Sequence, residues 1–452
     1  MRAYDLDILS LAPGGDGVAK LPDGRTVFLP YSAPGDRVRA RMTEEHKTYG
    51  KARVDEVLQA GAGRVKPPCP VAGWCGGCAW QHLDYSAQSA AKHEFIVENL
   101  RRIGKLESPP VLPIWAASDP LGYRNKAQVP VVLKADGSLM VGYYAAGSHK
   151  VVPLPEEGCR LVEPAVNAAL VFARAHLPAL GLQPYDATTN SGTLRHVMVR
   201  ANRKGEVMIA LVTRTPLSER VSTQAAGWML KLPGLVSVQN NVQGQTGNVV
   251  MGPHSVTVAG SDQLEEDLDG LRFRLAASSF FQVNPSQTVE LWRAITEARP
   301  WTGKERVFEL YCGVGTLSLP MARLGVDVFG IESHAPAIDD ARANAALNGF
   351  DKLRFEVSDA EKAWDVLPAG WVPDLVLVDP PRKGLEASVI EALASHGVPE
   401  LIYVSCDPAS LARDTARLGA LGYELQQCQP VDLFPQTPHV ESVSRFMKKR
   451  QN

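Results

Sequence analysis

RVFELYCGVGTLSLP, Arg306 to Pro320, is a short apolar run that breaks at Gly313 and Gly315. It reads as a strand ending in a glycine turn, where the backbone can approach a ligand that a Cβ would block. Outward from it the same rhythm repeats. VDVFGIES, LRFEVSD, PDLVLVDPP and ELIYVSC are further short apolar runs, and helical segments such as APAIDDARANAALNG lie between several of them. Strand–helix alternation from about residue 300 onward predicts an α/β fold, a doubly wound Rossmann-like parallel sheet. Ligands of such sheets sit outside the carboxyl ends of the strands.

Those ends carry chemistry. The second run closes on Gly330-Ile331-Glu332, where an acid can hold a ribose diol, and the third on Ser358-Asp359, suited to an adenine amino group. A dinucleotide fingerprint needs a third glycine, and Ser318 stands in its place; no lysine completes a P-loop. That disfavours a nucleotide-dependent oxidoreductase. S-adenosylmethionine has no phosphate to cradle and tolerates this loop best. The fourth run ends in Asp379-Pro380-Pro381-Arg382. Methyltransferases acting on exocyclic amines follow a similar Pro-Pro pair with an aromatic that stacks on the base. Arginine here points to carbon as the acceptor.

The fifth run, in ELIYVSCDPASLARD (Glu400 to Asp414), delivers Cys406 and stops at Asp407-Pro408. Burial is the common fate of a cysteine. Placement after a strand, beside a cofactor loop, instead suggests a nucleophile, with the amides of a helix starting near Pro408 expected to stabilise the thiolate. Carbon 5 of uracil is a feeble nucleophile that a thiolate can activate by adding to carbon 6. A base must then remove the proton from carbon 5. Thr437-Pro438-His439-Val440-Glu441 opens the last apolar run and supplies an acid for that step, Glu441.

The rest of the 452 residues bound this reading. Length suggests about two to four domains, and 45% apolar residues leave ample core material. A net charge of −2 requires any nucleic-acid partner to meet a local basic face. Residues 1–60 show short alternating runs split by Asp-Gly and Pro-Gly turns, a small β-barrel, with Arg37, Arg39 and Arg41 on one strand face and Lys47, Lys51 and Arg53 following. Residues 61–275 form a central, mostly-β domain with a helical segment beginning at 86 and a hairpin turn at Arg203-Lys204-Gly205; residues 276–452 hold the doubly wound sheet. Tyr123 to Lys126 and Arg195-His196 are expected RNA contacts or solvated turns, and Phe280 and Phe281 either core or a border to a flipped base. Seven cysteines, three of them crowded, fit a reducing compartment better than a disulfide framework. Cys69, Cys75, Cys78 and the remote Cys159 can ligate zinc or a [4Fe-4S] cube, and spacing favours neither. No run approaches the about 18 apolar residues of a membrane span. The start, MRAYDLDILS, has no signal-peptide pattern. A cytoplasmic monomer without a membrane partner is expected.

Taken together, PGGDGVAKLPDGRTVFLPYSAPGDRV, CGGC, YRNKAQVPV, SSFFQVNPSQ, LYCGVGTLSLP, VDPPRKGL, VSCDPASLARD and PHVESV run nearly end to end. With them the chain resembles the RNA (uracil-5-)-methyltransferases that make 5-methyluridine, most of all the bacterial 23S ribosomal RNA branch with a TRAM domain and an iron–sulfur cluster. The resemblance implies Cys406 as nucleophile and Glu441 as base. It implies that Gln282, Tyr311, Gly313, Gly315, Thr316, Glu332, Asp359 and Asp379 border S-adenosylmethionine, Thr316 standing where some relatives carry asparagine. It tips the four cysteines toward [4Fe-4S], and has the 86–112 segment pack with the C-terminal domain. The implied substrate is 23S ribosomal RNA; the same chemistry on transfer RNA, or a non-catalytic cluster-bearing RNA-binding protein, are the alternatives.

Overall fold

The computed structural model describes residues 2–449. The chain forms three successive sheets, of six, seven and seven strands, with a two-stranded hairpin before the last. The N-terminal six run from Ala3 to Gln59. Leu6 from the first strand, Ala19 and Val27 from the middle and Val38 and Ala52 from the last two share one small core. The sheet therefore curls on itself, as alternating strands of this length must to hide one face. Its basic stripe is not free: Arg39 pairs with Asp5, Arg41 and Arg53 with Asp55, and Lys51 with Glu44. Acids of the same sheet thus pair with four of the six basic side chains named in this region.

The central seven-stranded sheet runs, in spatial order, from His254–Gly260 through Leu235–Val242, Val207–Thr213, Leu194–Ala201, Lys126–Leu133 and Leu139–Tyr144 to Val151–Pro153. Arg203-Lys204-Gly205 turns the chain between two of these antiparallel strands, with Gly205 at φ +80°. Two helices unexpected from the strand-rich pattern, Pro164–His176 and Glu219–Ala226, cover one face. Every residue of Leu194–Ala201 and Val207–Thr213 is consequently buried. Both faces are covered, so alternation in the sequence did not mean exposure of one of them.

In the C-terminal sheet seven strands are labelled in chain order: β1 Arg306–Leu310, β2 Asp327–Glu332, β3 Arg354–Val357, β4 Leu375–Val378, β5 Glu400–Ser405, β6 Tyr423–Val431 and β7 Glu441–Lys448. Their spatial order is β3-β2-β1-β4-β5-β7-β6. The first five are parallel, and β7 runs antiparallel between β5 and β6. The order reverses between β1 and β4, the switch point at which such sheets open a ligand crevice. Residues of one strand alternate between two cores. In β4, Leu375 and Leu377 join Leu291, Trp292 and Ile295 of helix α2 (Pro285–Glu297). Val376 and Val378 face the other way, toward Ile96 and Leu100 of helix α1 (Tyr85–Arg102) and Leu411 and Leu418 of helix α3 (Pro408–Ala420). Helix α1 comes from the first quarter of the chain, so the C-terminal sheet is covered by a segment more than 200 residues away. Among the described residues no helix is long and apolar enough to cross a membrane.

Candidate active site at the carboxyl edge of the C-terminal sheet

Parallel pairing brings the carboxyl ends of β1, β2, β4 and β5 to one edge. Each strand is apolar and buried along its length, and each releases a polar residue where pairing stops. β1 releases Tyr311, which is not glycine yet sits at φ +66°. Such a conformation is costly and persists where the surroundings impose it. The two glycines that follow differ. A Cβ on Gly313 would meet nothing within 4 Å, leaving open space for a ligand, whereas one on Gly315 would lie 2.8 Å from Leu319 Cδ1. Gly313 leaves room, and Gly315 lets the next helix pack. Thr316 is partly exposed at the end of this turn. β2 ends on Glu332, whose Oε1 accepts the backbone N–H of His334 at 2.9 Å. Asp359 lies two residues past β3. Gln282 reaches the region from outside the sheet, on a segment that Ser279 ties to Asp340 (2.8 Å) in the helix after β2.

β4 releases Asp379 and β5 releases Cys406. The β5–β7 register ends with Ser405 opposite Ser442, so Cys406 and Glu441 are the next facing pair. Glu441 is 4% exposed and Cys406 is half-buried. Burial pushes the Glu441 carboxyl well above the usual range, and the neighbouring Asp379 adds to the shift; burial raises Asp379 too. Burial, then the charges of Glu441 and Asp379, push the Cys406 thiol up to about 12, while the Arg382 guanidinium pulls it back. The helix-start stabilisation expected for the thiolate is not what the structure shows. Asp407 caps α3 itself, its Oδ1 accepting Ser410 N–H at 2.7 Å, and burial among acids outweighs the helix end. Burial and mutual repulsion thus favour the neutral forms of Cys406, Glu441 and Asp379.

Two residues near these groups, Arg382 and Glu309, were given no place in the site by sequence. Arg382 lowers the proton affinity of both Cys406 and Glu441, and its Nη2 donates to His439 Nε2 at 3.3 Å. Sequence reading used that arginine only to exclude amine substrates. A charge directly after a buried strand-end acid was the available signal. Glu309, in mid-strand β1, is buried and raised to about 8, accepting a hydrogen bond from Ser318; nothing in its local pattern marks it.

Cys69, Cys75, Cys78 and Cys159 line one cavity of about 430 Å³, together with Arg124, Lys126, Phe280 and Phe281. Burial pushes the Cys78 thiol up to about 12, and the other three thiols add to it. Among the described residues no three such groups stand close enough to hold a single metal ion. Of the segment Tyr123 to Lys126, expected as RNA contacts or a solvated turn, Arg124 and Lys126 are partly exposed and the other two are not. Tyr123 is buried and donates to Pro435 O (3.0 Å), and Asn125 is 3% exposed. Arg195 and His196 are buried on a strand, Arg195 donating to Gln243 O (2.7 Å). Phe281 is core against Phe273, and Phe280 is 73% exposed.

Residues 258–450 match the family model described as tRNA (Uracil-5-)-methyltransferase, and residues 2–54 match the TRAM domain. The chain is similar to a protein described as an uncharacterized RNA methyltransferase in Gloeobacter violaceus, 41% identical over 98% of this chain and 96% of that one. A protein of the same description in Listeria innocua is 38% identical over 98% of this chain and 97% of its own length. Among solved structures, the Pyrococcus abyssi tRNA (uracil-54, C5)-methyltransferase in complex with S-adenosyl-L-homocysteine superimposes with a TM-score of 0.76. The two are 26% identical over 98% and 99% of the chains.

Proposed function

Because the chain belongs to the S-adenosylmethionine-dependent RNA (uracil-5-)-methyltransferases, we propose that it methylates carbon 5 of a uridine in 23S ribosomal RNA through a transient bond from Cys406. The facing of Cys406 and Glu441 across β5 and β7, beside the open turn at Gly313, carries this reading. A target uridine swings out of its stack, at least cost from a single-stranded loop. Cys406 gives its proton to solvent as its sulfur bonds carbon 6, and the displaced electron pair makes carbon 5 nucleophilic. S-adenosylmethionine supplies the methyl that carbon 5 accepts. Glu441, in its ionised form, then takes the proton from carbon 5. The pair left behind restores the ring double bond, and the sulfur leaves as thiolate. Glu332 would hold the ribose and Asp359 the adenine, with Gln282, Tyr311, Thr316 and Asp379 bordering the same ligand.

The cysteine cavity fits a [4Fe-4S] cluster better than zinc. Four ligands of one zinc ion converge at about 2.3 Å from a point, whereas these thiols surround a wide space. Arg124 and Lys126 on the same wall suit an anionic group. Cys69, Cys75, Cys78 and Cys159 would hold the cluster, whose part in a reaction without electron transfer is to tie loops of the central domain together.

The TRAM domain and the four cysteines favour ribosomal RNA. The Pyrococcus relative, which acts on transfer RNA, favours a second reading, the same chemistry on a transfer RNA uridine. Incubating both RNAs with labelled methyl donor, then mapping the product by mass spectrometry, separates them. Cys406→Ala is expected to lose turnover by on the order of a thousandfold or more while still binding RNA. Undiminished methylation by that variant overturns the mechanism.

A further inference from the structure

The loop between β6 and β7, residues 432–440, delivers Glu441, and none of it is left to itself. The Leu433 carbonyl accepts from Asn284 Nδ2 (3.0 Å), Phe434 from Lys92 Nζ (2.9 Å), Pro435 from the Tyr123 hydroxyl (3.0 Å) and Gln436 from the Trp80 backbone N–H (3.0 Å). Gln436, at φ +69°, is clasped by Gln88, which donates to its Oε1 (3.1 Å) and accepts its N–H (2.9 Å). The last contact comes from the N-terminal barrel. Gly15, in the turn after the second strand, accepts the Trp80 indole N–H at 2.9 Å. Its own Cβ position lies 3.1 Å from Pro438 Cγ and 3.2 Å from Trp80 Nε1. Trp80 is fully buried between the two. The barrel therefore rests, through one glycine and one indole, on the residue three before Glu441.

We propose that Gly15 and Trp80 are positioning residues for the methyltransferase site, through which the N-terminal barrel sets the placement of Glu441. The proposal rests on the role given to Glu441 above. A side chain at Gly15 cannot be absorbed by a flexible tip, because it meets a proline ring and an indole. Gly15 also sits at φ +97°, so a side chain there strains its own turn as well, and the strain is passed to the Pro438 loop and so to Glu441. Proton removal from carbon 5 is the step that suffers. The methylated ring then stays bonded to Cys406, so a stalled covalent complex builds up on ordinary uridine RNA.

The test uses the full-length protein. Gly15→Val is expected to keep its RNA affinity within about 2-fold by filter binding. Its kcat should fall at least about 10-fold, with an RNA–protein adduct that survives denaturation, matching Glu441→Gln. Gly14→Ala, whose Cβ points into open space, serves as the silent control. Should Gly15→Val fail to fold, Trp80→Phe keeps an aromatic side chain but removes the indole N–H and its second ring, and is expected to show the same adduct at smaller amplitude. A folded variant with wild-type kcat and no adduct overturns the proposal, as does an activity loss fully explained by weaker RNA binding. Failure of the wild type to form an adduct with 5-fluorouridine RNA would instead remove the underlying mechanism.

Discussion

Arg382 is the residue whose removal best exposes the electrostatics of the site. It is the cation that opposes burial and acid repulsion at both Cys406 and Glu441. Turnover needs a thiolate and an ionised Glu441, and both are favoured as pH rises. Activity is therefore expected to climb between about pH 6.5 and 9. Arg382→Gln should displace that rise to higher pH, with a larger loss at pH 7 than at pH 9. A pH–rate profile of the two proteins checks this; superimposable profiles would mean that the guanidinium does not reach the reacting groups. At this scale the sequence was informative where a side chain acts by its chemical type. Cys406, Glu441 and the four cavity cysteines could be named because few other residues do such work. Protonation states could not be read, because they depend on burial and on neighbours from other strands. That is why a stabilised thiolate was expected at Cys406, whereas burial and the neighbouring acids push its proton affinity up.

Among elements, helix α1 decides whether the loop before β7 keeps its shape. Lys92 and Asp432 form an ion pair at 2.6 Å with both side chains fully buried, and the Tyr85 hydroxyl donates to the second Asp432 oxygen at 2.9 Å. Removing one partner strands a charge in the interior. Asp432→Ala is expected to cost about 3–5 kcal/mol, whereas the double change Lys92→Met with Asp432→Leu should cost much less. Urea unfolding of the three proteins measures it, and a double variant no better than the single one would show that the pair's geometry, not its charge, is what the fold needs. The strands of the C-terminal sheet were visible as apolar runs because they are buried on both faces. The helices Pro164–His176 and Glu219–Ala226 were missed in a region that reads as strands. The pairing of α1 with a distant sheet leaves no trace in local periodicity; resemblance alone suggested it.

For the whole molecule, buried acids set the response to pH. Burial raises Glu309 to about 8 and Glu266 to about 7, and Glu441 and Asp379 shift the same way. Folded-state values above the unfolded ones mean stability that is complete at low pH and lost as pH rises through the raised values. His82 and His196, lowered to about 4 by burial, work oppositely, but their contribution is already complete above about pH 6.5. Between about pH 6.5 and 8 the raised acids outnumber the bases that oppose them, chiefly Lys126, which burial lowers to about 7, so the melting temperature is expected to fall across that window. Glu309→Gln, which keeps an acceptor for Ser318, should flatten the slope by up to about 1 kcal/mol per pH unit. A melting temperature that rises over the window in the wild type would refute the assignment of neutral buried carboxyls.

The order of residues alone determined the doubly wound sheet, the glycine turn at Gly313 to Thr316 and the position of Cys406 and Glu441 at strand ends. Each of these depends on local pattern or on one residue's chemistry, which the linear chain displays. Only the tertiary structure decided that Cys406 faces Glu441, that four cysteines from distant segments share a cavity, and that Gly15 of the barrel touches Pro438. Those facts come from the packing of segments up to about four hundred residues apart, where burial and charge are set by neighbours that no local window contains.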